Sequence, residues 1–523
     1  MTYYITTPLF YVNDLPHIGS AYPTIACDFF AGHMMQRGED VKFLTGTDEH
    51  GQKIEKSAKA AGKSPQEHCD YIAEEFKKLW QILDINYDYF VRTSSKDHYQ
   101  FVTEFFEKVK ANGDIYKGEY KGLYCTHCED FWLEKDLVEE GDEQLCPTHR
   151  KPVEEYSQEN YFFALSKYQD KLEKYIEDNP DFISPDYRKN EVMGWIKDGL
   201  RDFPISRANL DWGIPIKDSE QVIYVWFDAL LGYISGLGAD RESYWKQDSK
   251  IVHIIGKDIL RFHAVYWPAI LMSAGYPLPA KVFGHGFLTK DGMKMGKTLG
   301  NIIDPVALTE SYGAEAVRFY FLREMVFGRD GDYTDAGFIE RLNSDLANNL
   351  GNLLNRALKL INKYCDGVVP EIKVASHDAL HQSFVNHLDE LNPYFALEEV
   401  FKMLDATNAR INGVEPWRAL KTEPDNQEAL TSLVEALEAC KQAAVYLAPI
   451  MPQLSKEIFI NLGLYSKEQI TELDRRSLLS KFFDLSQKDR VLAGTKVAEK
   501  PEPIFARLQR GDCDVASLAG SSQ

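Results

Sequence analysis

The stretch Pro16-His17-Ile18-Gly19-Ser20 decides how the rest of the chain is read. Before it stands Tyr3-Tyr4-Ile5-Thr6-Thr7, whose aromatic and β-branched residues suit a buried parallel strand. After it, from Ala21 to Arg37, Ile25, Phe29 and Met34 recur at near-helical spacing. Ser20 is a natural N-cap, and Pro23 would fall in the first helical turn, where a missing N–H costs nothing. The stretch therefore reads as a strand-to-helix turn carrying an imidazole, a glycine and the positive end of a helix. Such a turn can hold phosphate, and Gly19 would let a flat ring approach the backbone. Taken alone, an ordinary βα turn with an incidental histidine is the commoner reading. The rest of the chain separates the two readings.

A chain of 523 residues is too long for one core, and roughly three domains are expected. Its 44% hydrophobic and 27% charged residues are those of a globular protein. The net charge of −21 excludes a bulk basic nucleic-acid binder but leaves room for a local basic track. No apolar run reaches membrane-spanning length, so no membrane association is expected. The first strand begins so close to the start that no signal or transit segment is expected there. Eight cysteines in a chain this long do not make a disulfide framework, which points to a reducing, cytoplasmic setting.

Along the chain, Val41-Lys42-Phe43-Leu44-Thr45 reads as a short strand ending in Gly46-Thr47-Asp48-Glu49-His50-Gly51. Polar groups at the carboxyl end of a buried strand are where open α/β sheets place ligands, although a capped turn into a helix near Gln52 would look the same. Helices are expected from Pro65 to Leu83 and from Lys96 to Asn112. From Lys117 the pattern changes. Cys125-Thr126-His127-Cys128 is answered by Cys146-Pro147-Thr148-His149, two short-spaced ligand pairs that can close a tetrahedron of thiolate and imidazole around Zn²⁺. Four protein ligands leave no open position, so this zinc is expected to be structural, with His127 a bystander.

The sheet pattern resumes at Val222-Ile223-Tyr224-Val225-Trp226-Phe227-Asp228-Ala229 and again at Ile251-Val252-His253-Ile254-Ile255, which runs into Gly256-Lys257-Asp258-Ile259. A helix from Leu260 to Ala274 and the segment Lys281 to Gly286 follow. The fold expected is thus α/β, a Rossmann-type parallel sheet split by a zinc-knuckle insertion and followed by an α-helical bundle. Thr289 to Asn301 sets glycines around Lys294 and Lys297, as in a mobile loop offering two ammonium groups to a polyphosphate. From Phe338 the chain is helical, with Leu342, Leu346, Leu350, Leu354, Leu358 and Ile361 on one face and Asn352 and Arg356 sharing another. Later helices are expected over Ala375–Asn392, Ala396–Asn412 and Gln427–Ala448, with Pro416-Trp417 between two of them. The segments expected are 1–116 and 216–288 for the two halves of the catalytic fold, 117–215 for the insertion, 289–337 for the lysine loop, 338–507 for the bundle and 508–523 for a flexible tail.

In this order, His17-Ile18-Gly19-Ser20 and Lys294-Met295-Gly296-Lys297-Thr298 resemble the HIGH and KMSKS signatures of class I aminoacyl-tRNA synthetases. Thr45 to Gly51, the zinc knuckle, Tyr224 to Ala229, Gly256-Lys257-Asp258-Ile259 and the set Asn352, Arg356 and Trp417 are similar to the methionyl-tRNA synthetases among them. The resemblance implies activation of methionine with ATP and Mg²⁺, then transfer to initiator and elongator tRNA(Met). It implies that His17, Gly19, Ser20, Lys294 and Lys297 are catalytic, and that Gly256, Asp258 and Thr298 complete the ATP site. Leu9, Tyr11, Asp48, Trp226, Leu230, Tyr233 and His285 would take methionine, with Asp48 on its α-ammonium. Asn352, Arg356 and Trp417 would read the anticodon, by base edges and stacking. Cys125, Cys128, Cys146 and His149 would hold the zinc.

Two positions depart from the signatures, Ser20 for His and Gly296 for Ser, while both lysines remain. The chain ends soon after the anticodon-type helices, without an appended dimerisation domain, so a monomer is expected. Synthetases for leucine, isoleucine and valine would need a larger editing insertion than 117–215. A non-catalytic tRNA-binding protein would be expected to have lost some of His17, Gly19, Asp48, Lys294 and Lys297. A zinc-dependent redox sensor would need a spare thiol beside the cluster.

Overall fold

The computed structural model describes residues 2–127, 130–132, 134–140, 143–208, 210–295, 300–374, 378–473, 475–480, 492–501 and 503–509. The chain divides into two compact units, one of Met1–Pro16, Lys42–Lys78 and Tyr87–Gly284, the other of His17–Val41, Leu79–Asn86 and His285–Gln523. Among the described residues no helix is long and apolar enough to cross a membrane.

The first unit is built on a parallel sheet. Its strands run in the order Ile183–Ser184, Lys281–His285, Lys250–Gly256, Thr2–Thr6, Asp40–Asp48 and Phe10–Tyr11, and Tyr89–Arg92 also pairs with Asp40–Asp48. Tyr3 to Thr6 lie in parallel register with Lys250 to His253, so the two halves of the sheet meet at its centre despite the long stretch between them. That is the Rossmann-type arrangement expected from the sequence. Ile251, Val252, His253, Ile254 and Ile255 are all buried, as befits a strand covered on both faces. His253 is accommodated because both ring nitrogens are bonded. Trp267 Nε1 donates to Nε2 at 3.3 Å, which leaves Nδ1–H to donate to Thr6 Oγ1 at 2.7 Å.

The insertion forms its own antiparallel sheet. Ile115–Cys125 pairs with Glu154–Phe163 along its length and with Asp130–Trp132 at its end. Ile183–Ser184, within the same stretch, returns to the main sheet beside Val282 and Phe283.

The sequence misplaces an element of the first unit. Val222–Ile223 is a two-residue strand paired with Ser206–Arg207, and the chain then becomes the helix Val225–Ser235. A run apolar at almost every position has no period to distinguish strand from helix. Helical winding sets Trp226, Leu230 and Tyr233 at i, i+4 and i+7, on one face.

In the second unit the helix Ile18–Gln36 leads, followed by Pro305–Tyr312, Ala314–Glu324, Asp335–Leu342, Asn352–Tyr364, Asp378–Asp389, Pro393–Val414, Pro416–Thr422, Gln427–Leu447, Pro452–Asn461 and Lys467–Thr471. The leucine face is borne out, since Leu342, Leu346, Leu350, Leu354, Leu358 and Ile361 are all buried. Repeated steps of four would rotate an α-helical stripe by about 40° each time. The π-helical segment Asn343–Gly351, with its wider turn, offsets that drift.

Candidate functional site

Parallel strands of the first unit deliver the site at their carboxyl ends. Thr2–Thr6 runs on into Pro8 and Leu9, Asp40–Asp48 ends on Asp48, and Lys250–Gly256 passes into Lys257-Asp258-Ile259. These segments and the helix Val225–Ser235 line a cleft of about 1040 Å³. Leu9, Tyr11, Asp48, Trp226, Leu230, Tyr233 and Asp258 all line it. Insertion residues including His127, Trp132 and His149 line it too, so His127 is not remote from the site.

The cleft also contains two side chains the sequence reading passed over, Phe262 and His263. Phe262 stacks on Trp226 with ring centroids 3.9 Å apart and planes 4° from parallel, which locks the indole as a flat wall. His263 Nδ1 donates to the Ile259 carbonyl at 3.0 Å, so its Nε2 is the acceptor for the Tyr233 hydroxyl at 2.7 Å. Burial lowers the His263 pKa to about 4, partly offset by the bond to Ile259, and the ring is neutral at pH 7. The sequence held one signal for it, since His263 stands four residues after Ile259 at the start of a helix.

Asp48 is nearly buried, and its neighbours hold the strand end firmly. Glu49 is fully buried and takes a fork of two bonds from Arg92, at 2.7 and 3.0 Å, besides one from Thr47 Oγ1 at 2.6 Å. Arg92 also meets Asp70 at 2.6 Å. His50 Nδ1 lies 2.6 Å from Asp228 Oδ2.

The knuckle residues Cys125, Cys146 and His149 bring their ligand atoms within 4.8 Å of one another, and Cys146 Sγ is 3.9 Å from His149 Nδ1. The Cys146–His149 spacing is close to the edge of about 3.3–3.8 Å that a zinc tetrahedron with bonds of about 2.0–2.3 Å would have. Cys125 closes the strand Ile115–Cys125, and Cys146 follows the strand Glu143–Leu145, so two strand ends present these thiols. Cys128 lies outside the described residues.

The second unit carries the remaining expected residues. His17, not Ser20, caps the first helix. Its Nδ1 accepts the Gly19 N–H at 3.0 Å, so the helix begins at Ile18 and Ser20 lies inside it. Pro23 consequently sits beyond the first turn. A Cβ on Gly19 would stand 2.7 Å from His17 Cε1, so the imidazole keeps this position only beside a glycine.

Lys294, expected on a loop, ends the second strand of a short hairpin. Thr289 pairs with Lys294 and Lys290 with Met293, across Asp291 at φ 52° and Gly292 at φ 74°. Two positive φ values in an Asp-Gly pair make a type I′ turn, whose twist matches the strands it joins. Gly296, Lys297 and Thr298 lie outside the described residues. His285 ends the strand Lys281–His285 and is buried, edge-on to Tyr22 at 5.7 Å and stacked on Phe327 at 5.9 Å. Its Nδ1 donates to the Gly286 carbonyl at 2.8 Å, and burial, partly offset by that bond, lowers its pKa to about 4. Beside Trp226 and Tyr233, the imidazole lining the first unit's cleft is His263.

Asn352 is exposed, Arg356 donates to Asn412 Oδ1 at 3.0 Å, and the Arg356 guanidinium lies 4.7 Å from the half-exposed Trp417 ring. The arrangement is a cation over the indole of a residue that is only partly buried.

A family profile described as class I tRNA synthetases (M) matches residues 3–154 and 145–358. The chain is 47% identical over 525 residues to the chloroplastic/mitochondrial methionine–tRNA ligase of Arabidopsis thaliana, covering 97% of this chain and 83% of that one. It is 46% identical to the methionine–tRNA ligase of a Nostoc species, covering 97% and 98%. A solved structure of Mycobacterium tuberculosis methionyl-tRNA synthetase in complex with methionyl-adenylate superposes with a TM-score of 0.87 at 37% identity, over 97% of this chain and all of that one. The free form of that enzyme gives 0.82 at 35% identity, over 97% and 98%. On the family profile, the relatives and the shared fold, the chain belongs to the methionyl-tRNA synthetase family of class I.

Proposed function

We propose a division of labour among the residues of this enzyme, which activates methionine with ATP to methionyl-adenylate. Asp48 takes the α-ammonium. Trp226, Leu230 and Tyr233 form the slot for the side chain, with Leu9, Tyr11 and His263 around it. The observation that carries this reading is the convergence of a nearly buried carboxylate and a stacked aromatic wall on one cleft. A thioether suits such walls, because sulfur against an aromatic edge gains about 0.3–1.5 kcal/mol. The Tyr233–His263 bond fixes the phenol and supplies polarity that a purely apolar slot lacks. Shape alone separates similar apolar side chains by only about 1–3 kcal/mol per methylene.

In the reaction the methionine carboxylate forms a bond to the α-phosphorus of ATP, and the bond to the pyrophosphate oxygen breaks. Such a step asks the protein for positioning and for stabilisation of charge on the phosphates. His17 serves the α-phosphate side, Lys294 and Lys297 the departing pyrophosphate, and Gly19, Gly256, Asp258 and Thr298 the remainder of ATP with its Mg²⁺. Ser20 acts through the helix it belongs to. Cys128 completes the zinc site as fourth ligand, and the closed ligand set makes the metal structural.

The methionyl group then passes to the terminal adenosine of tRNA(Met), whose anticodon meets Asn352, Arg356 and Trp417. An exposed amide, a guanidinium and a half-exposed indole on neighbouring helices support that assignment.

Methionine-dependent ATP–pyrophosphate exchange tests the ammonium site. Asp48→Ala should raise the methionine KM about 10- to 150-fold, the worth of a charged hydrogen bond of about 1.5–3 kcal/mol. An unchanged KM would remove Asp48 from the site.

A further inference from the structure

We infer that Asp228 is a positioning residue that sets the span between the two ends of the amino-acid site. The inference rests on the reading of Asp48 as the ammonium partner and adds to it. The carboxylate of Asp228 is fully buried beneath the cleft, and it does not line it. Its Oδ2 lies 2.6 Å from His50 Nδ1 and its Oδ1 lies 2.6 Å from His98 Nε2. Asp228 sits on the helix Val225–Ser235, among Trp226, Leu230 and Tyr233. His50 sits two residues beyond Asp48. One hydrogen bond therefore joins the element carrying the side-chain slot to the strand end carrying the ammonium partner.

The other partners hold that joint in place. His98 belongs to the helix Lys96–Ala111, and its Nδ1 lies 2.7 Å from Ser235 Oγ, so it grips the slot helix at two points. His50 Nε2 lies 3.0 Å from the Tyr99 hydroxyl, and its ring stands edge-on to Tyr99 and Trp212 at 5.3 and 5.5 Å. The joint has little freedom to lengthen. An ionic group buried this deeply costs several kcal/mol to desolvate, and an apolar side chain would pack the same space at lower cost. What an apolar side chain cannot do is fix a distance between two elements at hydrogen-bond precision. A substrate held at both ends needs that distance fixed, because a misplacement of about 1 Å can cost on the order of 10²-fold.

The test is pyrophosphate exchange by the full chain carrying Asp228→Asn, with KM for methionine, KM for ATP and kcat measured separately. Ethionine, one methylene longer than methionine, reports the span. Expected are a rise of about 10-fold or more in methionine KM, an ATP KM within about twofold of the parent, and a smaller preference for methionine over ethionine. A merely structural role would lower the active fraction, hence apparent kcat, and leave the methionine KM and the ethionine ratio unmoved, and that result overturns the inference. So does a parallel rise in ATP KM. If Asp228→Asn does not fold, His98→Gln and Ser235→Ala loosen the same helix from outside the cleft, and a flat methionine KM in both is equally fatal. Asp48→Ala, run alongside, separates the two ideas. It loses methionine affinity if the ammonium reading holds, whatever Asp228 does.

Discussion

Gly19 carries two constraints at once. The sequence suggests room for a flat ring beside the backbone, and the structure adds a nearer reason in the His17 imidazole. Gly19→Ala would place a methyl 2.7 Å from His17 Cε1, and the ring would have to turn away from the Gly19 N–H it caps. Loss of a cap costs about 1 kcal/mol, which the fold can absorb. The displaced imidazole is the larger effect, and activation at saturating methionine should fall by about 10²-fold. A Gly19→Ala variant that exchanges pyrophosphate at the parent rate would show that the ring position at residue 17 does not matter. Ser20 shows the limit of motif reading at this scale. A hydroxyl at the fourth signature position looks like a cap, but the imidazole three residues earlier caps the helix. His263 was passed over because only packing brings it to the cleft.

Elements with a clear period were legible in the sequence. The helices at Pro65–Ile82, Lys96–Ala111 and Gln427–Leu447 lie close to where their spacing puts them, and the leucine stripe from Leu342 to Ile361 is buried as expected. The segment after Val222 was not legible, because its residues are apolar on every face and its partners come from the insertion and the distant sheet. The Lys294 hairpin was missed for a different reason. Its Asp-Gly turn signal was present, but the strands it joins are too short to show alternation. Trp417 belongs to this scale, since the short helix Pro416–Thr422 presents it under Arg356. Trp417→Ala should leave pyrophosphate exchange unchanged and slow aminoacylation of tRNA(Met) by about 10-fold or more, in line with about 1–3 kcal/mol for base stacking. Equal damage to both reactions would make Trp417 a packing residue only.

At the scale of the molecule, the second unit is organised on Asp28. It is fully buried on the helix Ile18–Gln36, and it meets Arg318 at 2.5 Å and Arg475 at 2.6 Å. It also accepts the Asn86 N–H at 3.0 Å, and Arg318 donates on to the Asp84 and Pro449 carbonyls at 2.6 and 2.9 Å. The helix that His17 caps is thereby tied to the helical bundle that carries Trp417. Burial raises the Asp28 pKa, but Arg475 and Arg318 more than reverse it, so the folded value lies below the ordinary carboxylate range. The sign follows. The contribution is fully present above the unfolded pKa near 3.9 and is lost as pH falls through the lower folded value. Asp28→Asn should therefore cost about 3–5 kcal/mol at pH 7, because it leaves the buried Arg318 and the part-buried Arg475 with one partner fewer. The gap between variant and parent should narrow below about pH 4, where the parent carboxylate also becomes neutral. Denaturant unfolding across that range checks both parts, and equal stability at pH 7 would contradict them. This hub could not be read from sequence, since Asp28, Arg318 and Arg475 are far apart along the chain.

Specificity at the cleft is the central claim, and ATP–pyrophosphate exchange with each of the twenty amino acids, tRNA omitted, tests it most directly. Exchange driven by methionine, with Ser20 and Gly296 as they stand, is the expected result. Exchange driven by a different amino acid would contradict the assignment of Asp48, Trp226, Leu230 and Tyr233 to a methionine slot, and silence with all twenty would contradict adenylate formation itself.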